Sequence, residues 1–283
     1  MAFVIAVGAN LVYTVVEAVY GVLTGSVALL GDAGHNLFDV LGLLLAWGAS
    51  YLAARQTSHM YSYGFRRTTI LAALTNAVVL IFVAGYIAWE AVDRLISPSP
   101  IPEFAVMIVA GLGILVNAGT AMLFMKSGKR DLNLRGAYLH LAYDAVISLG
   151  VVVAAAAIYV TGWLWIDGLM GLIIVAIILA GTWGLLRDSV NRIIDAVPEN
   201  VDRDAVQKYL EAIEGVTEVH DLHIWGMSTH ENCLTAHLVM PENTLWDSDA
   251  AYTVIGDDLE QFNIHHVTLQ VEKDAECSNT ACD

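Results

Sequence analysis

Six apolar stretches fill the first two thirds of this 283-residue chain: Phe3 to Leu23, Val27 to Ala53, Thr69 to Val92, Phe104 to Phe124, Ala137 to Val160 and Leu164 to Leu186. Each is about 20 residues or longer, the length an α-helix needs to cross bilayer hydrocarbon. Backbone polar groups at that depth find no water, so the stretches must be helical. The pattern therefore predicts a membrane α-helical protein with six transmembrane helices. Composition agrees, with 57% hydrophobic residues and a mean hydropathy of +0.61, above that of soluble domains. The first stretch does not read as a cleavable signal peptide. It lacks a basic leader, and Glu17 followed by a second span does not resemble a cleavage site.

Lys and Arg fix the orientation. Arg55, Arg66 and Arg67 lie between the second and third spans. Lys126, Lys129, Arg130 and Arg135 lie between the fourth and fifth, and Arg187 and Arg192 follow the sixth. The opposite side carries only Arg94. The positive-inside rule then predicts both termini in the cytoplasm.

Inside these spans two four-residue echoes stand out: His35-x-x-x-Asp39 in the second and His140-x-x-x-Asp144 in the fifth. Residues i and i+4 share a helix face, so each helix offers one imidazole and one carboxylate in the same direction. Ionisable groups at membrane depth are expensive and face a partner, a cavity or a pathway. Two such helices facing each other supply two nitrogens and two oxygens, a set that suits tetrahedral zinc. The plainer alternative is a satisfied polar pair that glues helices together. Duplication with identical spacing favours the metal. Gly31, Ala33 and Gly34 before the first pair, with Ala142, Ala145 and Gly150 around the second, predict close helix packing.

At Ala196-Val197-Pro198 the apolar pattern stops, which divides the chain into residues 1–197, a transmembrane domain, and 198–283, a cytosolic domain. Asp202 can N-cap a helix running to Glu214 with Gly215 beyond it. Val216 to Met227 and Asn232 to Met240 alternate as half-buried strands do. Asp247 to Phe262 reads as a helix and His266 to Glu272 as a strand. The order αββαβ predicts a small ferredoxin-like α+β domain, close to the lower size limit for an independent core, so that oligomerisation would help it. The net charge of −16 falls mostly here, where the only cations are Arg203, Lys208 and Lys273. That balance excludes nucleic acid as a partner; it attracts cations or simply keeps the domain soluble. Cys233, Cys277 and Cys282 all lie in this cytosolic part, where thiol or metal chemistry is expected rather than disulfides.

The segments Gly31-Asp32-Ala33-Gly34-His35-Asn36-Leu37-Phe38-Asp39 and Tyr138-Leu139-His140-Leu141-Ala142-Tyr143-Asp144 resemble the second and fifth helices of the cation diffusion facilitator family. The resemblance extends through Tyr63-Gly64-Phe65-Arg66-Arg67, Leu71 to Asn76, Trp89-Glu90-Ala91, Trp165-Ile166-Asp167 and His220-Asp221-Leu222-His223-Ile224-Trp225. It spans essentially the whole chain and is nearest the bacterial zinc-exporting branch. It implies a homodimeric antiporter in the bacterial inner membrane, not an enzyme, that exports Zn(II) against protons and needs no prosthetic group. The implied transport ligands are His35, Asp39, His140 and Asp144, with His at the first position going with zinc preference. A broader divalent range including cadmium and cobalt, or a metal sensor without transport, are the alternatives.

The resemblance also implies a cytosolic metal site, for which His220, His237, His265 and Glu272 are the candidate ligands and Cys277 and Cys282 further candidates from the tail. Strand alternation turns His223 and His266 elsewhere. The chain departs from some relatives in lacking a His-rich leader and a His-rich fourth-to-fifth loop. The second-to-third loop offers only His59, with Phe65 where one relative has a histidine. Glu17 and Asp167 fall on family-pattern positions as structural hydrogen-bonders or members of a water wire. Arg66 or Arg67 is expected to meet Asp195. An intramembrane metalloprotease, the rival class, would need a His-Glu-x-x-His helix, which the sequence lacks. Coupling follows from chemistry, because a metal ligand must be deprotonated and protons therefore compete with metal.

Overall fold

The computed structural model describes residues 2–125, 132–241 and 249–273, with side chains described in 8–122, 141–241 and 254–273. Six helices come first: α1 (Ala2–Thr24), α2 (Val27–Ala53), α3 (Thr68–Ile96), α4 (Glu103–Met125), α5 (Leu132–Thr161) and α6 (Trp165–Ile193). Then follow α7 (Arg203–Glu211), β1 (Glu218–Gly226), β2 (Asn232–Val239), α8 (Asp249–Glu260) and β3 (His266–Glu272), the αββαβ order read from the sequence. Helices α2 to α6 each contain a segment long and apolar enough to cross a membrane, and α1 adds a shorter apolar segment over Gly8–Thr24. Leu43, Trp47, Phe82, Trp89, Val153 and Val160 are each at least 60% exposed. Water would not tolerate so much large apolar surface, whereas lipid is its natural solvent.

The chain divides into two compact units. The first comprises Met1–Leu45 and Thr75–Gly184. Its core is built from Leu29, Ile87, Val106, Ile147, Ile158 and Ile174. Gly34 lets α2 approach α3, since a Cβ there would already touch Ile87 and Val83. Asp167 proves to be a helix cap. Its carboxylate accepts from Ser26 Oγ at 2.6 Å and from the backbone N–H groups of Val27 and Ala28 at 2.8 and 3.3 Å. It thus satisfies donors that the start of α2 would otherwise leave open in lipid.

The second unit comprises Ala46–Leu74 and Leu185–Asp283. Strand β2 is central, antiparallel to β1 and parallel to β3. One sheet face carries Leu222, Ile224, Leu234, Ala236 and Leu238, packed with Val206 and Leu210 of α7 and Leu259 of α8. Asp202 caps α7 by accepting from Ala205 N–H at 3.0 Å, worth about 1 kcal/mol. Helix α7 ends at Glu211, earlier than the expected Glu214. Arg67 meets Asp195 at 2.9 Å and Arg66 meets Glu231 at 2.7 Å. Both pairs are half exposed, so each contributes at most about 1 kcal/mol.

Candidate metal centres

In the first unit α2 and α5 converge on one imidazole. His35 Nε2 lies 3.5 Å from Asp39 Oδ2 and 3.8 Å from Asp144 Oδ1. Asp39 reaches it as the i+4 neighbour on α2, one turn on along the same face. Asp144 comes from α5 and is only 2% exposed. Zinc bonds of about 2.0–2.1 Å in a tetrahedron set neighbouring donor atoms about 3.4 Å apart. The two measured separations are therefore close to the edge lengths such an ion imposes. Three of the four residues singled out by the spacing are brought together. His140 lies on α5, and its side chain is outside the described residues.

In the second unit a stripe of polar side chains crosses the open sheet face. His220 pairs with His237 across β1 and β2, and Gln270 pairs with His237 across β2 and β3. The two imidazole centroids are 5.1 Å apart. Glu272, two residues beyond Gln270, closes the group. Its Oε2 is 3.1 Å from His220 Nε2, and its Oε1 is 2.9 Å from His237 Nδ1. These three residues bring ligand atoms within 4.8 Å of one another. His220 Nδ1 is buried without a hydrogen-bond partner, an arrangement that costs stability unless something accepts the lone pair. The donor set of two imidazoles and a carboxylate fits zinc.

A β-bulge creates this stripe. The register of β1 shifts between His220 and His223, and Asp221 there takes a left-handed φ of 51°. Val219 and Leu222 thus both pack against the core although they are three residues apart. Strict alternation would have put His220 on the core face with Leu222 and Ile224; the bulge turns it to the open face. The same turn brings Asp221 Oδ2 to 3.5 Å from His237 Nε2, a neighbour that the sequence reading missed. Its signal is the spacing Val219-His-Asp-Leu222, one residue too long for a regular strand.

His265 does not join the group. It immediately precedes β3, at the end opposite Glu272, where its Nδ1 accepts from Asn232 N–H at 3.2 Å. Seven residues of strand put about 23 Å between the two. His223 is exposed and binds Asp221 Oδ1 at 2.9 Å, and His266 packs edge-on against Tyr63. Cys277 and Cys282 lie outside the described residues. Cys233 is fully buried in β2. Burial, reinforced by Glu231, pushes its thiol up to about 11. That shift favours the protonated thiol over the thiolate, and the side chain packs as part of β2.

Burial works against ionisation of Glu272, but the hydrogen bond from Gln270 and the facing His237 and His220 outweigh it and hold its carboxyl below the ordinary 4.5. A lowered carboxylate stabilises the fold fully above the ordinary glutamate range and loses that contribution as pH falls through the lowered value. In chelator, the difference in melting temperature between the parent and Glu272→Gln is expected to hold from pH 7 to about 5 and to close on further acidification.

An apolar helical bundle that gathers an imidazole and two carboxylates within it, joined to a small domain with its own His-rich cluster, defines a membrane protein that handles divalent cations. The chain belongs to the cation efflux family of transporters. The family's transmembrane domain matches residues 3–194, and the cation efflux protein cytoplasmic domain matches residues 198–274. The chain is 36% identical over 266 residues to a cadmium, cobalt and zinc/H(+)-K(+) antiporter of Bacillus subtilis, covering 93% of this chain and 86% of that protein. It is 36% identical over 260 residues to the metal cation efflux system protein CzcD of Cupriavidus metallidurans, covering 92% and 82%. It is 34% identical over 271 residues to the zinc transporter ZitB of Escherichia coli, covering 94% and 85%.

Proposed function

We propose that this chain is a zinc/proton antiporter that exports Zn(II) from the cytosol by alternating access through His35, Asp39, His140 and Asp144. It works as a homodimer in the bacterial inner membrane, with both termini in the cytosol and residues 198–283 as the cytosolic metal-binding and dimerisation domain. The observation that carries this reading is His35 Nε2 held 3.5 and 3.8 Å from two carboxylates of different helices at membrane depth. Two carboxylates balance the charge of a divalent ion, and imidazole favours zinc over harder ions. Each ligand must shed its proton to bind, so protons from outside displace the ion and ride inward on the empty carrier. Rocking of the bundle around a midplane site supplies alternating access.

His220, His237 and Glu272 hold a second zinc in the cytosolic domain. The named substrates of the Bacillus subtilis relative support a wider reading that adds cadmium and cobalt. A sensor without transport is the other alternative. Proteoliposomes with a zinc dye inside and an imposed pH gradient test all three. Zinc is expected to accumulate with an equivalent counter-movement of protons. Binding without accumulation would establish the sensor, and equal accumulation of cadmium the broader carrier.

A further inference from the structure

The first unit buries a second polar group that the metal ligands do not use. Glu17 on α1 and Asp32 on α2 are both fully buried. Tyr13 Oη donates to Glu17 Oε1 at 2.5 Å, and Ser148 Oγ of α5 donates to Asp32 Oδ2 at 2.8 Å. The Asn36 amide lies between them, with Nδ2 donating to Glu17 Oε2 at 3.4 Å and to Asp32 Oδ1 at 3.5 Å. No cation pairs with either carboxylate among the described residues. Arg94, on α3, is engaged with Asp167 and with the Gly25 carbonyl. Two like charges tied to one amide in a low-dielectric seam repel each other, and a proton held between them relieves that repulsion.

Helix α4 supplies an independent observation. Gly113, Asn117 and Thr120 share one of its faces. Gly113 backs onto the network, where a Cβ would collide with the Tyr13 hydroxyl and fall 3.1 Å from Ser148 Oγ. Thr120 Oγ1 accepts from Asn10 Nδ2 of α1 at 3.2 Å. Asn117 lies between these two contacts, 1% exposed, and its Nδ2 has no hydrogen-bond partner. An unpaired buried donor is the kind of group that an ordered water can bridge, and Asn117 lies on the α4 face whose Gly113 backs onto the network. Around the pair the facing groups are Tyr13 on α1, Asn36 and, a turn away, His35 on α2, and Ser148 and, a turn away, Asp144 on α5. The α4 face carries nothing ionisable, and α3 and α6 present Ile87 and Ile174 to Gly31.

Direction follows from the charge map. With the α2–α3 and α4–α5 connections in the cytosol, Asp32 lies three residues, about 4.5 Å along the axis, to the outer side of His35. Ser148 lies one turn to the outer side of Asp144, and Glu17 is in the outer half of α1. We propose that Glu17 and Asp32 are the proton intake of the carrier, a carboxylate pair that takes protons from the outer face and hands them to the emptied metal site without itself touching the ion. The pair alternates between one bound proton and two. The second proton arrives from outer water and leaves to a ligand vacated by the metal, so each visit moves one proton and no other atom. This rests on the antiport reading above.

Full-length protein in proteoliposomes, with zinc- and pH-sensitive dyes, tests it through Asp32→Asn and Glu17→Gln. Each variant is expected to lose at least tenfold in zinc accumulation driven by a pH gradient. Zinc-for-zinc exchange, which needs no net proton movement, stays within twofold of the parent. Accumulation within twofold of the parent at an unchanged proton-to-zinc ratio would overturn the assignment. So would loss of exchange together with accumulation, because the pair would then serve folding or metal binding. A parent that exchanges zinc but gains nothing from the pH gradient would instead remove the antiport reading, and the intake with it.

Discussion

Asp144→Asn is expected to reduce zinc flux in proteoliposomes at least a hundredfold while the protein keeps its fold and assembly. The amide matches the carboxylate in size, so the packing around this 2%-exposed side chain survives. What is lost is a carboxylate charge 3.8 Å from His35 Nε2, an anionic ligand of the proposed site. Removing groups that merely orient ligands costs about 10–100-fold in metal affinity. Removing a ligand itself, at a depth where no water chain readily replaces it, costs more. A hundredfold corresponds to about 2.7 kcal/mol, modest against the attraction between a divalent ion and a carboxylate in low dielectric. Thermal unfolding supplies the control. A bound ion stabilises by about 2.7 kcal/mol at a hundredfold excess over its dissociation constant, so the parent gains melting temperature with zinc and the variant gains only what the cytosolic cluster provides. Flux within threefold of the parent, with intact protein, would remove Asp144 from the site.

The helices and the αββαβ order were legible because they rest on local periodicity, 3.6 for helices and 2 for strands. His35, Asp39 and Asp144 were legible for a related reason: spacing within one helix decides which side chains share a face. Three features were not. Asp32 reads as one more residue of a helical motif, and its significance comes from Glu17 and Ser148 on other helices, 15 and 116 residues away in sequence. His220 is named by the family resemblance, but the bulge that turns it to the open face is not legible, because a left-handed aspartate carries no strong sequence signature. His265 is a candidate through the family resemblance, but it stands at the opposite end of β3 from Glu272, and adjacency to a strand is not adjacency to a site at its other end. The break at Pro198 marks where apolar pattern ends. The compact units follow contacts instead, and Arg66 and Thr69 join the tail's unit through Glu231 and the Thr229 N–H.

Replacing His237 by alanine is expected to remove one bound zinc per protomer from the full-length protein, measured by equilibrium dialysis and metal analysis at micromolar zinc. His237 stands at the centre of its cluster. It sits on the middle strand, with His220 paired across one edge and Gln270 across the other. Its two nitrogens face Glu272 at 2.9 Å and Asp221 at 3.5 Å. Alanine leaves two donors on strands that no longer have a ligand between them, and two flexible donors hold zinc far more weakly than three fixed ones. His265→Ala provides the contrast. Its imidazole bonds Asn232 N–H at the far end of β3, so the zinc count should not change. If the parent count survives His237→Ala, the cluster is a polar patch on an open sheet face. If it falls equally with His265→Ala, the second site is assembled differently from the stripe described above. Loss with His237→Ala alone assigns the second site to the stripe of His220, His237 and Glu272, the face to which the bulge at Asp221 turns His220.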